Sequence, residues 1–159
     1  MKKLSMAMEW IRPLGISLSL FLAYYFGRDS VSIFHILGPL IVIIMNGTIA
    51  FESLVIGEAG SAKIGYVPNR AYQIQSGLAN LAIALTAVLV LVLKWGREAD
   101  ATIVIAMLLF LLFSGFNHLR TAIKEKNLKP LNLMRPVISI LLTAILLPYL
   151  ISSLMQKPL

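Results

Sequence analysis

Residues 31–57 read VSIFHILGPLIVIIMNGTIAFESLVIG, and Glu52 and His35 are their only acidic or basic side chains. A helix needs about 20 apolar residues to cross about 30 Å of hydrocarbon, so this stretch is long enough to span with some tilt. Four more runs share its character: Trp10–Phe26, Ile74–Trp95, Ala101–His118 and Pro136–Ser153. Inside a bilayer only helices and closed barrels satisfy their own backbone polar groups. These runs are too continuously apolar for the weak alternation of barrel strands. The sequence therefore predicts an all-α, polytopic transmembrane helical bundle of about five spans. It forms a single integral membrane domain over residues 1–159, placed as a multi-pass protein in the cell membrane.

Composition points the same way. Hydrophobic residues make up 58% and charged residues 13%, against about 25% charged in a soluble domain. The connections between runs are too short to hold a separate soluble catalytic domain. With no cysteine, disulfides, thiolate metal sites and cysteine catalysis are excluded. No P-loop, nucleophile elbow or HExxH motif is present.

The net charge of +7 invites a nucleic-acid reading, which its distribution opposes. Threading five spans puts Lys2, Lys3, Arg12, Lys63, Arg70, Arg120, Lys124, Lys126, Lys129 and Arg135 on the amino-terminal side. Arg28, Lys94, Arg97 and Lys157 fall on the other. Basic residues gather on the cytoplasmic face of membrane proteins. The expected partner is the lipid bilayer, with the amino terminus cytoplasmic, the connection Leu119–Arg135 cytoplasmic and Leu159 outside. Lys2 and Lys3 resemble the start of a signal peptide, but no small-x-small cleavage site follows, and a retained first helix is expected.

Glu58–Tyr72, punctuated by Gly60, Gly65 and Pro68, reads as a cytoplasmic loop. The first part of Leu119–Arg135 extends the fourth spanning helix until Asn127, Pro130 and Asn132 break it. Pro136 then suits the first turn of the last helix. Pro39 and Pro148 lie inside spans and should kink them. Gly15, Ser19, Ala23 and Gly27 recur every four residues, a small-residue stripe that lets another helix approach closely. The partner is another helix of this chain or, in a homo-oligomer, a second subunit.

Several short motifs carry a family resemblance. Ile64-Gly65-Tyr66, Tyr72-Gln73 and Gly77-Leu78-Ala79-Asn80-Leu81 come first; Gly115-Phe116-Asn117-His118 and then Asn127, Pro130 and Asn132 follow. The pattern resembles a family of small prokaryotic integral membrane proteins of unknown function. That family pairs an Ile-Gly-aromatic loop with an aromatic-Gln helix start, a Gly-x-Ala-Asn-Leu helix and a Gly-x-x-His helix end. The chain departs from it at Gln75, where an acidic residue often stands, at Tyr66, often Trp, and at Arg70-Ala71, often Ser-Pro. The resemblance covers most of residues 45–150 and implies an architecture without an activity.

Polar residues inside the spans supply the candidate site. Glu52 lies about one turn from the cytoplasmic end of its helix, with Asn46 about 9 Å deeper at 1.5 Å per residue. Gln73, Gln75, Ser76 and Asn80 enter from the same side, and Ser114, Asn117 and His118 end there. Glu52, Gln73, Gln75, Asn80, Asn117 and His118 thus form an expected inner-leaflet pocket, with Glu52 and His118 as its titratable pair. Intramembrane ionisable residues default to functional hypotheses. The leading reading is binding or passage of a small polar or ionic ligand. The alternative is a structural or accessory membrane subunit whose Asn, Gln and His only hold helices together. A third is a membrane-embedded enzyme acting on a lipid or quinone, with catalytic residues scattered over several helices. No catalytic residue, cofactor or metal site is assigned, since His35 and His118 fall near opposite ends of the bundle.

Overall fold

A computed structural model describes residues 2–156. The described chain is helical, with six helices: α1 (Lys2–Phe26), α2 (Ser30–Val55), α3 (Gly57–Ile64), α4 (Arg70–Leu93), α5 (Arg97–Lys124) and α6 (Pro130–Met155). All but α3 are long and apolar enough to cross a membrane. The central helix is α2, which packs against α1, α4, α5 and α6. Its Phe34, Leu37, Ile41 and Val42 are fully buried, as are Val104 and Met107 of α5 and Leu146 of α6. Outside this core the bundle turns apolar side chains outward, among them Leu14, Leu18 and Phe21 on α1, Leu85 and Val92 on α4, and Ile140 on α6. A monomeric soluble protein rarely exposes so continuous an apolar surface; hydrocarbon is its matching solvent.

The ends of the bundle are fixed by local chemistry. Asp29 caps α2: its carboxylate accepts from the backbone N–H of Ser32 at 2.7 Å, and the Ser32 hydroxyl approaches the Asp29 amide at 3.0 Å. This reciprocal box satisfies donors that the first helical turn leaves without partners. The carboxyl of Asp29 is held below its ordinary range, chiefly by that backbone N–H. At the opposite end Arg70 donates to the carbonyls of Ser53 and Leu54 at 3.1 and 2.9 Å, closing the last turn of α2.

Three expectations change. The first helix begins at Lys2, not near Trp10, because Ser5, Met8 and Arg12 share a buried face that the apolar run alone does not mark. The expected loop Glu58–Tyr72 opens with α3, an eight-residue helix ended by Gly65 in the left-handed conformation at φ 85°. Pro130, not Pro136, starts α6, and Pro136 lies inside the helix. The small-residue stripe packs within the chain: a Cβ on Gly15 would lie 2.9 Å from Ile44 of α2, and one on Gly27 would lie 2.9 Å from the Ile33 backbone.

At the end opposite α3, His35 of α2 meets the buried Asp100 of α5, its Nδ1 2.9 and 3.0 Å from the two carboxylate oxygens. Tyr24 and Tyr149 hydroxyls meet there at 2.5 Å. Lys157 and Leu159 lie outside the described residues.

Candidate functional site

The most concentrated chemistry lies at the α3 end. On α1, Ser5, Glu9 and Arg12 recur at the i, i+4, i+7 spacing of one helix face. On α2, Thr48 and Glu52 are one turn apart. Arg12 binds Glu52, donates from Nε to Thr48 Oγ1 at 3.1 Å, and lies 3.0 Å from Glu9. Lys63 of α3 also binds Glu52, reaches Glu9 at 2.6 Å and donates to the carbonyl of Ser5 at 3.0 Å. Arg135 of α6 completes the cluster with a bond to Glu9 at 2.8 Å.

Three cations therefore face two carboxylates, a formal balance of +1. The five side chains are not equally occupied. All four carboxylate oxygens have cationic partners, and Lys63 uses three contacts for its three N–H donors. Arg12 donates through Nε and NH2, and its NH1 lies 3.0 Å from Glu9 without a hydrogen bond. Arg135 uses one N–H on Glu9, and its remaining donors have no protein partner. Burying an ion costs several kcal/mol unless it is paired and hydrogen-bonded, so the spare capacity of Arg135 marks it out.

Facing this cluster is His118 of α5. Asn132 of α6 donates its amide N–H groups to the carbonyls of His118 and Asn127, at 3.2 and 2.9 Å. Its Oδ1 is thereby turned to His118 Nδ1 at 2.7 Å, so Nδ1 carries the proton and donates. The ring stacks on Tyr66, centroids 5.3 Å apart and planes at 18°. Thr121 donates to the His118 carbonyl at 2.9 Å, leaving its oxygen to accept from the Tyr66 hydroxyl at 3.2 Å, while the Tyr66 oxygen lies 3.1 Å from His118 Nδ1 and shares that nitrogen's proton with Asn132. Burial pushes the Tyr66 phenol above its ordinary value, which keeps it a neutral donor. With tautomer and ring plane fixed, Nε2 is left as a lone-pair acceptor without a protein partner. An oriented histidine of this kind is the arrangement used where its second nitrogen has work to do.

Between the cluster and the histidine is a cavity of about 170 Å³ lined by residues of all six helices, roomy enough for several waters. Its lining includes Arg12, Glu52, Lys63 and Arg135 of the ion cluster together with His118, Tyr66 and Ser114. Gln73 of α4 also lines it; its amide N–H donates to Ser61 at 2.9 Å, and its Oε1 is buried against Gly57 without a hydrogen-bond partner. Gly60 of α3 also lines the cavity, and a Cβ there would meet nothing within 4 Å.

Of the residues expected from sequence, Glu52, Gln73 and His118 line this cavity together. Glu52 and His118 do not bond each other; each is engaged by its own partners. Asn80 is buried but outside the wall, and donates to the Ser76 carbonyl of its own helix at 2.8 Å rather than across to another. Gln75 and Asn117 face outward from α4 and α5. Arg12, Glu9, Arg135, Tyr66 and Asn132 are additions that the sequence reasoning misses. A signal for Arg12 is present in the sequence, since it lies inside the first apolar run, where a cation needs a partner. Both oxygens of Glu52 are occupied by cations, which leaves His118 Nε2 as the free metal-ligating atom on the wall. Among the described residues no three His, Asp or Glu side chains come together.

The model of a family described as a family of unknown function (DUF6790) matches residues 31–157. No curated protein and no solved structure matches the chain.

Proposed function

The chain belongs to DUF6790, a family without an assigned activity, and from the geometry of its polar cavity we propose that it is a membrane protein that binds or passes a small polar or ionic ligand at the α3 end. One observation carries this reading: an apolar bundle gathers polar groups around one cavity and leaves His118 Nε2 and all but one of the Arg135 donors without protein partners. Buried polar groups are nearly always satisfied, and a ligand or water in the cavity supplies what the protein does not. The exposed basic residues support a cytoplasmic position for this end, and the cell membrane as location. Lys3, Arg70, Arg120, Lys124, Lys126 and Lys129 are exposed here, against Arg28 and Lys94 at the other end.

The accessory-subunit reading has its own support, because the carboxylates of the cluster are fully paired without any ligand. Gly60→Leu separates the two. A Cβ at this cavity-lining position meets nothing within 4 Å, leucine is a better helix former than glycine, and its side chain is expected to narrow the cavity. On the ligand reading, a set of small polar compounds of differing charge includes some that raise the thermal stability of the purified protein, and Gly60→Leu abolishes that effect. If no compound stabilises the native chain, the cavity is only a packing feature.

A further inference from the structure

We infer that the ligand is a small, singly charged oxyanion that also carries an O–H donor, seated between Arg135 and His118. This inference rests on the reading of the cavity as a binding site and adds the chemical class of what it takes. The first ground is charge. The cluster carries one more cation than anion, and Arg135, which lines the cavity, spends one N–H on Glu9 and makes no other hydrogen bond within the described residues. Guanidinium donors in a fixed fork match the oxygens of a carboxylate or phosphate, and a single negative charge brings the local balance to zero.

The second ground is polarity of a different sign at His118, which lines the same cavity. The Asn132 amide is committed to two backbone carbonyls, so His118 Nδ1 is a donor and Nε2 an acceptor. An anion with acceptors alone would set its lone pairs against that of Nε2. One bearing a hydroxyl, whether a hydroxycarboxylate or the P–OH of a phosphate monoanion, donates to it. A cationic ligand is disfavoured, because every carboxylate oxygen that would attract it already holds Arg12, Lys63 or Arg135.

Calorimetry on the purified full chain in detergent tests this with four probes: glycolate, acetate, glycerol and ethanolamine. The expected order is glycolate above acetate, with glycerol and ethanolamine not binding. Arg135→Gln should lower glycolate affinity about tenfold or more, the scale of a charged hydrogen bond, whereas Arg135→Lys retains part of it. His118→Phe keeps the stack on Tyr66 and removes Nε2, so glycolate should fall to the level of acetate while acetate itself changes little. Inorganic phosphate and dihexanoyl phosphatidic acid then compete with glycolate; displacement by phosphate points to a water-borne ligand, and displacement by the lipid alone to a headgroup. Ethanolamine or glycerol binding, lost in Gly60→Leu, with no anion binding, overturns the oxyanion and leaves the site standing. Silence of every probe overturns both. Equal binding of glycolate and acetate, unchanged in His118→Phe, overturns the role of Nε2.

Discussion

Glu52→Gln is the perturbation for which the ion cluster makes its firmest demand. Glu52 holds Arg12 and Lys63, and Glu9 holds those two and Arg135. The substitution preserves shape but raises the local charge from +1 to +2. The introduced amide keeps one cationic contact through its carbonyl, while its NH2 faces the other cation. Breaking a buried ion pair from one side costs about 3–5 kcal/mol. Glu9 still engages Arg12 at 3.0 Å and Lys63 at 2.6 Å, so the low end, about 3 kcal/mol, is expected. Adding Lys63→Met to Glu52→Gln removes the surplus cation and returns the balance to +1. The double variant should be less destabilised than the sum of the single changes by about 1–2 kcal/mol. Reversible denaturant unfolding in detergent measures all four proteins. A Glu52→Gln variant within about 0.5 kcal/mol of wild type, or strictly additive costs, would refute the claim that these side chains act as one buried network.

Three further outcomes follow from the fold. Ala23→Leu should destabilise the protein by about 1–3 kcal/mol through overpacking, since Ala23 is fully buried on α1; Leu18→Ala, on the outward face, should change stability far less in the same unfolding assay. The Asp29 carboxyl is depressed in the folded state, so its contribution is present above its unfolded value and is lost as pH falls through the folded one. Asp29→Asn keeps the cap and should flatten the decline in stability below about pH 4, as followed by thermal unfolding against pH. In this cysteine-free chain, cysteines introduced at Lys126 and at Lys94 should be labelled from opposite sides of a sealed vesicle, and labelling of both from one side would contradict the five-span threading.

The five spans are legible because each is a long apolar run, and hydropathy alone reports that. The short helix α3 is not, since Gly57, Gly60 and Gly65 read as loop punctuation; packing against α1, α2, α4 and α6 holds it instead. The polar candidates are half legible. Depth along a helix follows from 1.5 Å per residue, so sequence places Glu52, Gln73 and His118 at one level, where they share a cavity. Which of them meet depends on helix rotation and neighbour order, which depth does not contain. Glu52 therefore turns to Arg12 and Lys63, His118 to Tyr66 and Asn132, and Gln75 and Asn117 turn outward. In the sequence Arg12, Lys63 and Arg135 count toward the basic asymmetry that sets topology, which masks their place in the buried cluster. Asp100 reads as a residue of a connection, although the first turn of α5 buries it against His35.

The central claim is that small charged molecules reach a cavity with a cationic wall. Ser114 lines that cavity outside the ion cluster, so Ser114→Cys offers a single thiol as its probe. The measurement is the rate of modification of this thiol, in the folded protein, by an anionic sulfonatoethyl methanethiosulfonate and by its cationic trimethylammonium counterpart. Reaction of the folded protein, faster with the anionic reagent and slowed for both by Gly60→Leu, is the predicted result. A thiol inert to both reagents until the protein is unfolded would contradict the account.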